Sequence, residues 1–272
     1  MTYNMPIPVV PGHSGGREIM HHGSSQTDKP YRHGNLRITP KDPWAALRMI
    51  SPDDGDLCFD SSLPLVESYR SHPAARAFDL LRTRLVRALT QHGWSRIAIT
   101  APTKGCGSTF TAVNLALSLQ RVRGSRTVLM DMDQRSPGVA AALGVEGSYP
   151  ISEYLSGTVS MHRHMLRMSD TLALGLNTKA NLNASEQLHD SMTGLTLDEM
   201  QESLEPEVVL YDLPAMLEHD DLTAFLPEVD GVLIVADGTK TTRHQIAECE
   251  RALNGQAQLL GVVLNRGRES KT

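Results

Sequence analysis

The residues with chemistry to offer sit in one stretch and one later echo of it. A glycine-rich run, Ala101-Pro102-Thr103-Lys104-Gly105-Cys106-Gly107-Ser108-Thr109, follows the apolar segment Ile97-Ala98-Ile99-Thr100. A helical pattern at Ala112, Leu115, Ala116 and Leu119 comes next, and then a second apolar run, Thr127-Val128-Leu129-Met130, ending on Asp131-Met132-Asp133. Strand, loop, helix and strand in this order make a phosphate-binding βαβ unit. Glycines let backbone N–H groups close around phosphate oxygens, and the helix adds its positive N-terminus. Thr109 can offer a hydroxyl to Mg²⁺, and Asp131 can hold that ion's water shell. The later run Glu207-Val208-Val209-Leu210-Tyr211 ends on a further carboxylate, Asp212, suited to an outer-shell water of the same ion. One position departs from the phosphate-loop pattern G-x-G-K-[ST]: where lysine belongs, the chain has Ser108. Lys104, before the first glycine, is the cation nearest in sequence. A GxG ahead of a helix is also what a tight turn looks like, and a single strand-end aspartate can be a cap. It is the recurrence of Asp131, Asp133 and Asp212 at strand ends that favours a nucleotide site.

The elements that must position these groups are legible as alternating patterns. Pro73 to Gly93 is helical, with Ala74, Ala77, Phe78, Leu81, Leu85 and Leu89 at three- and four-residue steps. After Asp133 come a short Ala-rich helix ending at Gly144, a helix over 151–157, a third strand over 171–176, and helices over 184–192 and 196–204. Val208 to Asp212 reads as a buried parallel strand. Gly231 to Ala236 is a fifth strand and Leu259 to Leu264 a sixth. Between these two, Thr242 to Gln245 forms a capping box at the head of a helix that Asn254-Gly255 closes. Strands alternating with helices from 95 to 266 predict an α/β fold, a mostly parallel sheet with helices on both faces. Such sheets bind ligands at the carboxyl ends of their strands.

Composition sets the surrounding bounds. The 272 residues suffice for one large domain and a tail. Residues 1–60, rich in Gly, Ser, His and Pro, are expected to be a flexible, disordered tail. Within it Trp44, Leu47, Met49 and Ile50 form an apolar island suited to docking on the domain or on a partner. The domain proper is placed at 61–268, with a short C-terminal tail over 269–272. A net charge of −5 and 4% aromatics argue against nucleic acid as a partner. Cys58, Cys106 and Cys249 have neither metal nor disulfide spacing, which suits a reducing cytoplasm. No run approaches the ~20 apolar residues of a membrane span, and the first thirty residues lack a signal-peptide pattern. His162 and His164 would share a face if their segment were a strand, and a metal there would need a third ligand.

Several ordered motifs resemble the bacterial tyrosine kinases of exopolysaccharide and capsule synthesis, a branch of the MinD/ParA-type P-loop ATPases. They span residues 74 to 267. Leu81-Arg82-Thr83 resembles the family's leading helix, and Ile99 to Thr109 its Walker A loop. Val128-Leu129-Met130-Asp131-Met132-Asp133-Gln134-Arg135-Ser136-Pro137 resembles the Walker A′ strand, and Val209-Leu210-Tyr211-Asp212-Leu213-Pro214 the Walker B. Lys240-Thr241-Thr242-Arg243 and Gly261-Val262-Val263-Leu264-Asn265-Arg266 resemble its late motifs. The resemblance implies that Lys104, Gly105, Cys106, Gly107, Ser108, Thr109 and Phe110 surround the phosphates of ATP or ADP, with Mg²⁺ at Thr109, Asp131 and Asp212. It implies that Asp133, with Asp131 and Lys104, serves catalysis by activating a tyrosine hydroxyl or water, and that Asn265 and Arg266 lie near the base. It further implies a cytoplasmic protein brought to the inner membrane by a polysaccharide co-polymerase, the membrane-bound regulator of chain length, and assembly as a homo-oligomer.

The departures from the family pattern bear on activity. Ser108 removes the phosphate-loop cation. No tyrosine follows Tyr211, so the tyrosine-rich tail of the family is missing. The leading helix carries Arg76, Asp79 and Arg82 where the family has Glu-x-x-Arg-x-x-Arg, which inverts two charges of its ring contact. Two readings therefore stay open beside an active kinase or ATPase. One is a degenerate nucleotide-binding regulator of polysaccharide export. The other is a MinD/ParA-type positioning ATPase, disfavoured by the leading helix and by Gln134-Arg135-Ser136-Pro137.

Overall fold

The computed structural model describes residues 42–50, 65 and 73–267. The histidines and glycines of the first forty residues and the C-terminal tail lie outside these. The strands are β1 (Arg48–Met49), β2 (Arg96–Thr100), β3 (Thr127–Asp131), β4 (Leu166–Arg167), β5 (Leu172–Gly175), β6 (Val208–Asp212), β7 (Gly231–Asp237) and β8 (Gln258–Asn265). The helices are α1 (Pro73–His92), α2 (Ser108–Leu119), α3 (Val139–Leu143), α4 (Ile151–Leu155), α5 (Met161–His164), α6 (Ala184–Leu188), α7 (Ser191–Leu204), α8 (Asp221–Phe225) and α9 (Arg243–Leu253). The eight strands among the described residues form one sheet, ordered β1-β4-β5-β3-β6-β2-β7-β8, in which β4 with β5 is the antiparallel pair and the rest are parallel. The mostly parallel α/β sheet expected from the alternation of patterns is therefore present.

The period-2 geometry of a strand sends alternate side chains to opposite faces. Ile97, Ile99, Leu129 and Leu210 enter one apolar layer, together with α1, α2 and α3. Ala98, Val128, Met130, Val209 and Tyr211 enter the other, together with α4, α7, α8 and α9. This double burial explains the unbroken apolar runs of β3, β6 and β7, whose residues are buried throughout. Helix α2 lies between the sheet and α1, and every residue from Thr111 to Leu119 is buried. Helix α1 ends at Gly93, which takes a positive φ of 69° and closes the last turn. Its buried stripe runs through Ala75, Leu85 and Leu89, while Ala77, expected on it, is exposed.

Two expectations need correcting, and the histidine pair takes a form the sequence left open. The boundary near residue 60 is too late, because the apolar island belongs to the domain. Trp44, Leu47 and Ile50 are buried, and β1 pairs with β4. Arg126 stacks over the Trp44 ring at 5.1 Å and bonds Asp42 at 3.0 Å. A two-residue strand has no period to read, and its partners lie more than eighty residues away. Met49, the fourth member of the island, points outward. The histidine pair sits on a short helix, α5, where residues two apart face different ways. His164 is buried against Tyr154, His162 is exposed, and no metal-binding cluster exists among the described residues. Finally, the helices expected over 184–192 and 196–204 divide elsewhere. Asp190 caps α7 through the Met192 amide at 2.9 Å, so the second helix starts five residues earlier.

Candidate functional site

The carboxyl ends of β2, β3 and β6 converge. Asp131 is the register partner of Asp212, which in turn pairs with Ile99 of β2. The strand order thus sets two carboxylates side by side under the loop that joins β2 to α2. Both are fully buried. Asp131 accepts N–H bonds on Oδ2 from Gly138 at 3.1 Å and Val139 at 3.0 Å, but its Oδ1 has no partner. Neither oxygen of Asp212 has a hydrogen bond of good geometry. The Thr109 hydroxyl is close enough to favour the ionised form of Asp212, but burial and then the neighbouring Asp131 outweigh it and hold this carboxyl well above its ordinary range. Burial likewise pushes Asp131 up to about 7, with Asp133 adding to the shift and the two amides opposing it. Three fully buried carboxylate oxygens without a well-formed hydrogen bond are what a hard cation would satisfy. Thr109 borders them, since its methyl lies 3.1 Å from where a Cβ on Gly138 would stand.

Above the carboxylates is a cavity of about 270 Å³ lined by Thr103, Lys104, Gly105, Gly107, Ser108, Thr109, Asp133, Ser136, Ala215 and Arg266. Two loop glycines take positive φ, 78° at Gly105 and 95° at Gly107, and the second forms the entry to α2. A side chain at Gly107 is excluded twice over, since a Cβ would also stand 2.2 Å from Asn265 Nδ2. Asp133 lines the cavity and accepts the amides of Arg135 and Ser136 at 3.2 and 2.9 Å. Burial raises its carboxyl, while Lys104 counters. The segment after β3 is held by Arg135, which grips the buried Asp221 through two bonds of 2.6 and 2.9 Å.

The loop is braced from the β7 and β8 side. Asn265 donates to the Cys106 carbonyl at 2.9 Å, and Arg266 to the Gly105 carbonyl at 3.0 Å. Lys240 donates to the Lys104 carbonyl at 2.6 Å, and Glu218 accepts the Lys104 amide at 2.6 Å. Cys106 is buried beneath the loop. Burial would raise its thiol, but the Thr241 and Thr103 hydroxyls and Lys240 draw it below its ordinary value.

Of the residues expected at the site, Lys104, Gly105, Gly107, Ser108, Thr109, Asp133 and Arg266 meet in the cavity, with Asp131 and Asp212 beneath Thr109. Cys106 and Asn265 belong to the loop's support. The Phe110 ring points away from the cavity to an edge contact with Phe78, centroids 6.0 Å apart, so only its backbone is placed near the loop. Asp79 and Arg82 are occupied within the chain: Arg82, Arg121 and Ser118 all donate to Asp79. Sequence reasoning missed Asp221, Asp237 and Glu218, which nothing local ties to the loop, while Ser136 and Lys240 lie within motifs that carry no role for them individually.

No protein-family model matches the chain. It is 28% identical over 207 residues to EpsB of Ralstonia nicotianae, named as a tyrosine-protein kinase, covering 74% of this chain and 26% of that protein. It is 26% identical to the tyrosine-protein kinase YwqD of Bacillus subtilis, covering 70% and 80%. It is 28% identical to the succinoglycan biosynthesis transport protein ExoP of Rhizobium meliloti, covering 62% and 22%. The chain therefore spans about a quarter of the length of EpsB and ExoP and most of YwqD. Among solved structures, the chimerical protein CapA2B2 superposes with a TM-score of 0.70 at 20% identity, covering 80% of this chain and all of that one. The VpsO kinase domain superposes with a TM-score of 0.61 at 25% identity, covering 72% and 98%. In sequence this chain is similar to bacterial tyrosine-protein kinases, and its fold is the P-loop architecture seen in the VpsO kinase domain.

Proposed function

We propose that the chain binds Mg·ATP and Mg·ADP as a tyrosine-kinase-like P-loop domain that regulates exopolysaccharide or capsule synthesis and export. The observation that carries this reading is the set of three carboxylate oxygens without a well-formed hydrogen bond on Asp131 and Asp212, beside Thr109 and beneath a glycine loop. Thr109, Asp131 and Asp212 would hold Mg²⁺, which supplies charge neutralisation for the phosphates when bound. The loop amides and the N-terminus of α2 orient the phosphates. Asp133 faces the cavity with Ser136 and Lys104, and would take the proton from a tyrosine hydroxyl or a water as that oxygen attacks phosphorus. The kinase names of EpsB and YwqD support the reaction class, and the name of ExoP supports the polysaccharide setting. The partner we infer is a membrane-bound polysaccharide co-polymerase, which would bring the chain to the inner membrane from the cytoplasm. No helix among the described residues is long and apolar enough to cross a membrane.

Ser108 favours a second reading, a nucleotide-binding regulator with little turnover. It lines the cavity at the place from which a phosphate-loop lysine would reach the terminal phosphates. Titration calorimetry with Mg·ATP on the native chain and on Ser108→Lys, with phosphate release followed in parallel, separates the two. Binding with turnover by the native chain establishes the enzyme. Binding without turnover, with activity gained in Ser108→Lys, establishes the regulator. No Mg·ATP binding by either protein refutes both.

A further inference from the structure

The cavity contains a serine where its chemistry calls for a cation, and the surrounding cations are not equivalent. The Lys104 ammonium donates to Ser136 Oγ at 3.1 Å, on the Asp133 side. The Lys240 ammonium is taken by the Lys104 carbonyl and does not line the cavity. Arg266 lines it on the loop side, and only Nη1 of its guanidinium has protein acceptors among the described residues. Those two acceptors aim it. One is the Gly105 carbonyl, and the other is Asp237 Oδ2 at 2.6 Å. Asp237 is itself fixed. It ends β7 as the register partner of Asn265, its side chain is 1% exposed, and its other oxygen accepts the Thr239 hydroxyl at 2.6 Å and amide at 2.8 Å. Arg266 also has a backbone φ of 52°, one of two positive values at non-glycine positions among the described residues. A left-handed conformation at a long side chain has to be enforced by its surroundings, and it occurs preferentially at functional positions.

We propose that Arg266, which the resemblance would set near the base, is instead turned by Asp237 toward the cavity that Ser108 and Thr109 line, where it takes the place of the missing phosphate-loop lysine and binds the terminal phosphates of the nucleotide. Asp237 is a positioning residue in this arrangement. A guanidinium with one nitrogen anchored keeps its other N–H groups for phosphate oxygens, a pairing its planar fork favours. The inference rests on the Mg·ATP reading above and specifies how that site is charged.

The test is titration calorimetry of the full chain with Mg·ATP, using native protein, Arg266→Gln, Arg266→Lys, Asp237→Asn, Ser108→Lys and the double variant Ser108→Lys/Arg266→Gln. Arg266→Gln is expected to weaken binding about tenfold or more, the loss of one charge-assisted phosphate contact. Arg266→Lys recovers part of the loss, and Asp237→Asn falls between. In the Ser108→Lys background the effect of Arg266→Gln shrinks to about threefold or less, because the restored lysine does the same work. Thermal unfolding without nucleotide checks that the variants are folded, and the Arg266→Lys comparison holds even if Arg266→Gln is not. Native affinity in Arg266→Gln, or an equal loss with and without Lys at 108, overturns the assignment and leaves the Mg·ATP reading intact. No Mg·ATP binding by the native chain overturns both.

Discussion

Asp131 and Asp212 stand opposite each other on neighbouring parallel strands, fully buried, with three of their four oxygens lacking a well-formed hydrogen bond. A buried carboxylate pair of this kind opposes folding unless something neutralises it. Asp212→Asn is therefore expected to raise the Tm in EDTA by several degrees, on the order of 1 to 3 kcal/mol, while abolishing Mg²⁺-dependent nucleotide binding. A lower Tm in EDTA would show that the pair is held by donors other than a cation and would remove the basis for placing Mg²⁺ there.

The contact between Gly107 and Asn265 makes a second prediction. Gly107→Ala meets both a φ of 95° and an Asn265 amide 2.2 Å from the new methyl. Relaxing it must break the Asn265 bond to the Cys106 carbonyl. The variant should lose about 1 to 3 kcal/mol in urea unfolding and bind Mg·ATP at least about tenfold more weakly. Asn265→Ala leaves the φ untouched and should weaken binding with a smaller stability loss. Native-like binding in Gly107→Ala would mean that the loop has slack and that its clamp is not functional.

What the sequence showed and what it hid divide along a physical line. Runs such as Val208 to Asp212 and Gly231 to Asp237 announce central strands, because burial on both faces leaves no room for polar residues. Asp131 and Asp212 were legible for the same reason, as breaks in apolar runs, whereas Asp237 falls just past the run read over 231–236 and was not singled out. The Thr242 capping box was legible because it is local. The support of the site was not. Asp221 gripping Arg135 and Asp237 aiming Arg266 are pairs separated by 86 and 29 residues, and no spacing rule connects them. The Trp44 island was visible as apolar, but its berth depends on Arg126 and Ser169, which only the folded sheet brings near.

Asp79 accepts from Arg82, Arg121 and Ser118 and so ties α1 to α2. Asp79→Ala would leave two half-buried guanidinium groups without their carboxylate and with only Ser118, among the described residues, to accept from them, and about 1 to 2 kcal/mol of stability should be lost. Because this aspartate is engaged inside the chain, Arg76→Ala, on the exposed face of the same helix, should leave both the Tm and the sedimentation coefficient unchanged. A shift in sedimentation with Arg76→Ala would show that the α1 surface does join copies of the chain.

His164 stacks on Tyr154 with ring centroids 4.8 Å apart, and neither of its ring nitrogens has a hydrogen-bond partner. Burial alone lowers its pKa from 6.5 to about 4. The unfolded chain therefore binds a proton between those values that the folded chain refuses. Stability attributable to this group is complete above about pH 6.5 and falls as the pH drops toward 4, by roughly 3 kcal/mol across the window. His164→Phe keeps the stack on Tyr154 and removes both unpaired nitrogens. It should raise stability at pH 7 and flatten the fall between pH 6.5 and 4 by about that amount, as read from urea unfolding at a series of pH values. Parallel curves for the native chain and His164→Phe would mean that the ring keeps its proton when folded, and the acid sensitivity would then belong to other groups.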